Sequence, residues 1–153
     1  MKQDISQKKQ GIDFGYDSIV IKKHITDLEG GRTLDMEGYP LTVLYAGHVI
    51  ISLINGETGE KTYKPMPIIP VLDANEQPVK DENGEQLYAY DKAPEGAIFE
   101  GVLYRSILTE KPAASIMIDG VVNDKVMKFQ LAGIEEDFKA ACPHIIFKHD
   151  EEA

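Results

Sequence analysis

Only one cysteine, Cys142, occurs in the chain, which excludes an internal disulfide and any multi-cysteine metal site. Stability has to come from packing or association. Basic side chains are scarce as well: 16 Lys and Arg stand against 26 Asp and Glu, a formal net charge of −10. Phosphate attraction depends on basic residues, so no direct nucleic-acid partner is expected. Lys8-Lys9 and Lys22-Lys23 are the only adjacent basic pairs, and neither is interleaved with aromatics as a base-stacking surface requires. Long apolar runs are missing too. The stretch Leu41 to Ile54 is interrupted by Gly47, His48 and Ser52, and the polar start, Met1 to Gln10, has no signal-peptide pattern. No membrane partner and synthesis in a reducing host cytoplasm are the resulting expectations.

Catalytic constellations are absent from the pattern. His24, His48, His144 and His149 form no His-Glu-x-x-His motif and no close helical pair, which is the spacing a zinc site needs. Cys142 and His144 are near in sequence, but adjacent strand positions face opposite ways and a free cysteine commonly serves as a small buried hydrophobe. Ser106 and Ser115 lack a Gly-x-Ser-x-Gly elbow. The carboxylates at Glu135-Glu136-Asp137 and Asp81-Glu82 read as solvated faces. The acidic turns beginning at Asp73 and Asp81 lack a full EF-hand loop. The sequence therefore points to a non-enzymatic protein with no catalytic residue, metal or cofactor.

What is present is β-rich. At 153 residues the chain suits one domain with one core. Residues 1–16 read as an arm: a polar start followed by Ile12, Phe14 and Tyr16 alternating with Asp13 and Gly15. Its apolar side chains are candidate contacts for strand addition to a partner; the other possibility is a first strand of the domain. Ser18 to Ile21 extends this β-branched character. Leu41 to Tyr45 and His48 to Ile54 are strand runs with a bend at Gly47, and Asn55-Gly56 signals a hairpin. Pro65, Pro67 and Pro70 make Tyr63 to Pro70 an extended edge or connection over the surface.

The segment from 73 to 90 has turns at Asp73-Ala74-Asn75 and Asp81-Glu82-Asn83-Gly84, which predict a protruding hairpin or loop. Its candidate contact residues are Asp73, Asn75, Asp81, Asn83 and Tyr88. Ala97 to Ile118 reads as two strands joined by a loop containing Pro112, closed by Asp119-Gly120 before Val121-Val122-Asn123. A short helix is expected over Glu135 to Ala141, with acids near its start, followed by a final strand at Ile145 to Phe147. Residues 150–153 form a charged tail, leaving 17–149 as the domain. The fold class is mainly β, a β-rich α+β arrangement: a small β-barrel or sandwich-like domain with one short C-terminal helix, an extended arm and the protruding hairpin.

The segment AIFEGVLYRSILTEKPAASIMIDGVVN resembles the strand, glycine, strand, loop, strand and Gly-Val-Val-Asn arrangement of the head decoration proteins of tailed bacteriophages. EEDFKAACPHIIF is similar to the short helix and last strand that close those chains, and LYAGHVI resembles their early strand with a glycine bend. Together these cover about half of the chain. The resemblance implies a structural auxiliary capsid protein on the outer surface of the virion, a homotrimer whose partner is the major capsid protein and whose arm clamps neighbouring capsomers. A non-catalytic β-barrel module recognising a carbohydrate or protein through residues 73–90, such as a head-fibre component, shares most of the composition arguments, and an enzyme of another type stands third.

Overall fold

The strongest β-formers in the chain, Val49 to Ile54 and Ile116 to Val122, become the central strands of one sheet in the computed structural model, which describes residues 17–149. In chain order the elements are α1 (Asp17–Val20), β1 (Ile21–Asp27), β2 (Arg32–Thr33), β3 (Val43–Leu44), β4 (Val49–Ile54), β5 (Lys61–Pro65), β6 (Ile68–Pro70), β7 (Tyr88–Tyr90), β8 (Ile98–Leu103), β9 (Ile107–Leu108), β10 (Ala113–Ala114), β11 (Ile116–Val122), α2 (Glu135–Ala141) and β12 (Ile145–Phe147). The main sheet runs β1-β11-β8-β4-β5, with β12 pairing parallel to β11 beyond the end of β8. The fold is mainly β with one short helix near its C-terminal end. The main sheet is open, so of the two forms expected from sequence the closed barrel does not occur among the described residues.

Both faces of this sheet are covered, which explains why β4 begins with three consecutive apolar residues, Val49 to Ile51, all buried. Val49 and Ile51 join a cluster with Val102, Met117, Val122, Ile134 and Phe138 on one face. Ile50 turns the other way, to Leu34, Leu44, Leu103, Ala114 and Ile116. The first face is roofed by α2. Its first turn carries Glu135, Glu136 and Asp137, favourable at a helix start, and Lys139 pairs with Glu135 at 2.6 Å. Phe138 drops from α2 into full burial with its ring edge-on to Phe99, a burial that stabilises by about 2 kcal/mol. Pro143 cannot continue the helix, and β12 follows.

Glycine permits the close approach of the central strands. A Cβ on Gly101 would stand 2.2 Å from the Met117 carbonyl oxygen, and one on Gly120 would stand 2.4 Å from that of Lys23. Gly101 also adjoins a bulge: Ile50 pairs with Gly101 and Ile51 with Phe99, so Glu100 has no opposite number.

Several expectations need correction. Ser18 to Val20 belong to the helical turn α1 and are not extended, because Asp17 is held by Ser106 and turns the chain before β1 starts. The polar-looking Lys22 to Asp27 gave no strand signal, yet forms β1; it is an edge whose exposed faces need no apolar alternation. Tyr63 to Pro70 does not simply run over the surface: β5 is the edge of the main sheet, and Pro65 and Met66 are buried because the Met66 amide continues the pairing to the Val49 carbonyl. Asp119-Gly120 does not end a strand either. Gly120 lies inside β11, where the lack of a side chain lets β1 pass.

Candidate functional site

The protruding excursion is a three-way junction rather than a single hairpin. Its stem is β6 paired with β7. From the stem, the chain makes one hairpin across Leu72 and Pro78 and a second across Lys80 and Gln86. At the junction the backbone bonds close a ring: Val71 N–H donates to the Leu87 carbonyl, Leu87 N–H to Val79, and Val79 N–H to Val71, each within 2.9 Å. The Gln86 amide nitrogen caps this ring, 2.8 Å from the Leu87 carbonyl and 3.1 Å from that of Val79.

The two arms use the same turn chemistry. Asp73 Oδ1 accepts the amides of Asn75 and Gln77 at 2.8 and 3.0 Å, and Asp81 Oδ1 accepts those of Asn83 and Glu85 at the same two distances. A short carboxylate that bonds its own backbone two and four residues on is what makes Asp a turn residue. Positive φ is required at Glu76 and at Gly84, the fourth residue of each turn. These bonds commit one oxygen of each aspartate to structure. Among the described residues no group of three or more His, Cys, Asp or Glu could hold a metal ion.

Beside the second arm lies a groove of about 400 Å3 between the excursion and the body. Leu41, Tyr45, Asp81, Glu85, Leu87 and Tyr88 are among its lining residues. Lys128 forms part of the wall, with its ammonium over the Tyr45 ring at 5.3 Å from the centroid. The groove thus combines apolar and aromatic walls with two acids on one rim. Of the residues singled out from sequence, Asp81 and Tyr88 meet here, whereas Asp73, Asn75 and Asn83 sit at the exposed arm tips. Ile12, Phe14 and Tyr16 lie outside the described residues. Leu41 and Tyr45, 40 residues earlier in sequence, were not legible as partners of this loop, because only the fold brings them across.

Asp17 and Ser106 form a second polar cluster, where α1 meets the residues before β9. Ser106 donates its hydroxyl to Asp17 Oδ1 and its backbone N–H to Oδ2 at 2.8 Å, while its Oγ accepts the Ala46 amide at 2.9 Å. The serine is buried with its proton and a lone pair committed, which is the arrangement of a clamp and not of a nucleophile.

The remaining candidates from sequence stay apart. His48 is fully buried, with Nε2 2.9 Å from the Met66 carbonyl and its ring edge-on to Tyr39, Tyr90 and Phe129. The carbonyl can only accept, so Nε2 carries the proton; Nδ1 has no partner. Desolvation holds its pKa down at about 4, so the ring is neutral near pH 7. Cys142 donates to the Phe99 carbonyl at 3.6 Å, and burial, with Glu100 nearby, pushes its thiol up to about 11. A thiol so protonated is a poor nucleophile. His144 is exposed, His24 stacks on Tyr104, and His149 pairs with Asp124.

No helix among the described residues is long and apolar enough to cross a membrane. No protein-family model matches the chain, and neither a curated protein nor a solved structure matches it.

Proposed function

We propose that the chain is a structural virion protein that binds the outer surface of an assembled phage capsid and cements neighbouring capsomers. One observation supports the reading above the others. The three separate stretches that resemble head decoration proteins converge on a single unit, with β4, β8, β11 and β12 side by side and α2 laid across them. Such a protein works by linkage: binding only the assembled shell raises the free energy of rupture by its own binding free energy. A trimer that offers three weak contacts to adjacent capsomers gains further through effective concentration.

The Asp17 to Ser106 clamp suits that role. Whatever load residues 1–16 carry is delivered at Asp17, and from there through Ser106 to Ala46 and the residues leading into β4. Mass spectrometry of purified particles and binding of the purified chain to expanded heads test the proposal. The chain should be present in intact virions and should bind heads, and deletion of residues 1–16 should leave a folded body with weakened binding. Absence from virions, or no binding to expanded heads, overturns it.

The exposed apolar side chains of the excursion favour one second reading, a non-catalytic binding module. Ile69 and Leu72 are 46% and 52% exposed on a projecting unit, more than a purely solvated insertion needs. Glycan-array or protein binding that is lost on replacing residues 73–90 identifies that function.

A further inference from the structure

The stem of the excursion has one face toward the body and one apolar face toward solvent. On the inner face Ile68 is buried, and the Tyr90 hydroxyl accepts the Val49 amide at 3.0 Å. On the outer face Ile69 and Ala89 stand directly opposite each other, both exposed. Two residues further along that face, by strand alternation, come Val71 and Leu87, joined by the bond from the Val71 N–H to the Leu87 carbonyl at 2.8 Å. Ile69 is 46% exposed, Leu87 is 39% exposed, and Leu72, at the base of the first arm, is 52% exposed. The ladder of the stem and the ring of bonds at the junction hold these side chains in place, so little remains to be ordered on binding.

We propose that this ribbon face packs on a protein surface that is apolar at its centre and rimmed by Lys and Arg, and, resting on the capsid reading, that the surface is the outside of the assembled shell. Charge selects this occupant. Between Ile68 and Tyr90 the chain carries Asp73, Glu76, Asp81, Glu82 and Glu85 against Lys80, a net −4. All of these lie on the two arms, beyond the apolar ribbon. Two copies joined through this face would set −4 against −4, which disfavours a second copy of the chain. An anionic lipid surface is repelled for the same reason. A sugar is held in a concavity by convergent polar groups, whereas the side chains of Ile69, Val71, Leu87 and Ala89 have no polar atom. An apolar centre with a charged rim is the pattern of a protein interface.

The test measures binding of the full chain to purified expanded heads. I69S/L72S should weaken binding by about tenfold, the loss of partial burial of two aliphatic side chains, with thermal unfolding unchanged because both positions are exposed. Binding of the parent chain should weaken as salt is raised. E82K/E85K, which leaves the ribbon face intact, should weaken binding as well and flatten that salt dependence. Parent-like binding by either variant, or parent binding indifferent to salt, overturns the inference and leaves the capsid reading standing. A dimer of the free chain in sedimentation that I69S/L72S abolishes assigns the face to a second copy and also overturns it. Heads that bind no form of the chain overturn both the inference and the capsid reading.

Discussion

Ser106 binds both carboxylate oxygens of Asp17 across 89 positions of sequence, using its hydroxyl for one and its backbone N–H for the other. Removing the carboxylate leaves a buried hydroxyl and a buried amide without an acceptor. Asp17→Ala should therefore destabilise the chain by about 2 kcal/mol, read as a lower urea midpoint with an unchanged slope. Asp17→Ala and Ser106→Ala should be strongly non-additive in a double-mutant cycle. Additive losses would mean that the two residues act independently.

His48 makes stability depend on pH. Its folded pKa, about 4, lies below the ordinary 6.5, so as pH falls the unfolded chain takes up the proton first. The stabilisation is complete above pH 6.5 and is lost as pH drops to 4. A shift of that size corresponds to about 3 kcal/mol at 1.36 kcal/mol per pH unit. Many carboxylates titrate in the lower part of the window, so the informative quantity is a difference: His48→Gln should lose less stability than the parent chain between pH 7 and pH 4. Parallel curves would show that the ring does not remain neutral.

Gly101 and Gly120 admit no side chain, since a Cβ at either would run into a backbone oxygen. Gly101→Ala and Gly120→Ala should each cost about 3 kcal/mol. Gly56→Ala, where nothing lies within 4 Å, should change stability little. Thermal unfolding of the three variants gives the ranking.

The two arms of the excursion provide a matched pair of substitutions. Glu76 adopts φ 60°, where Gly84 of the second turn has φ 79°. Gly84→Ala should loosen the second arm by about 1 kcal/mol. Glu76→Gly should tighten the first by about 0.5 kcal/mol, the relief of backbone strain being offset in part by unfolded-state entropy. Exchange at the Leu87 and Val79 amides reports the arms separately, because local opening there need not register in global unfolding. Opposite signs at the two sites are the expected result.

Local chemistry was legible in the sequence where it decides structure alone. The α2 limits follow from an acidic start and Pro143, and the two turns follow from Asp73 and Asp81 bonding their own backbone. Long-range pairing was not. β1 is written in Lys22, Lys23 and His24, and it exists because Gly120 lets it approach β11. The same limit applies to the groove. Tyr88 could be singled out as a turn-flanking aromatic, but Leu41 and Tyr45 acquire meaning only once the stem of the excursion sets their neighbour. The β-branched run Ser18 to Ile21 suggested extended chain, and the clamp on Asp17 overrode it at Ser18 to Val20.

The junction has corners at Val71, Val79 and Leu87, spaced by eight residues along the chain. Each arm is consequently a separable unit of eight. Excising residues 72–79 would join Val71 directly to Lys80 and leave a plain hairpin on the same stem, while inserting a further unit would add a branch without altering β6 or β7. The reach of this excursion can thus change in whole steps of eight residues while the sheet beneath it stays as it is.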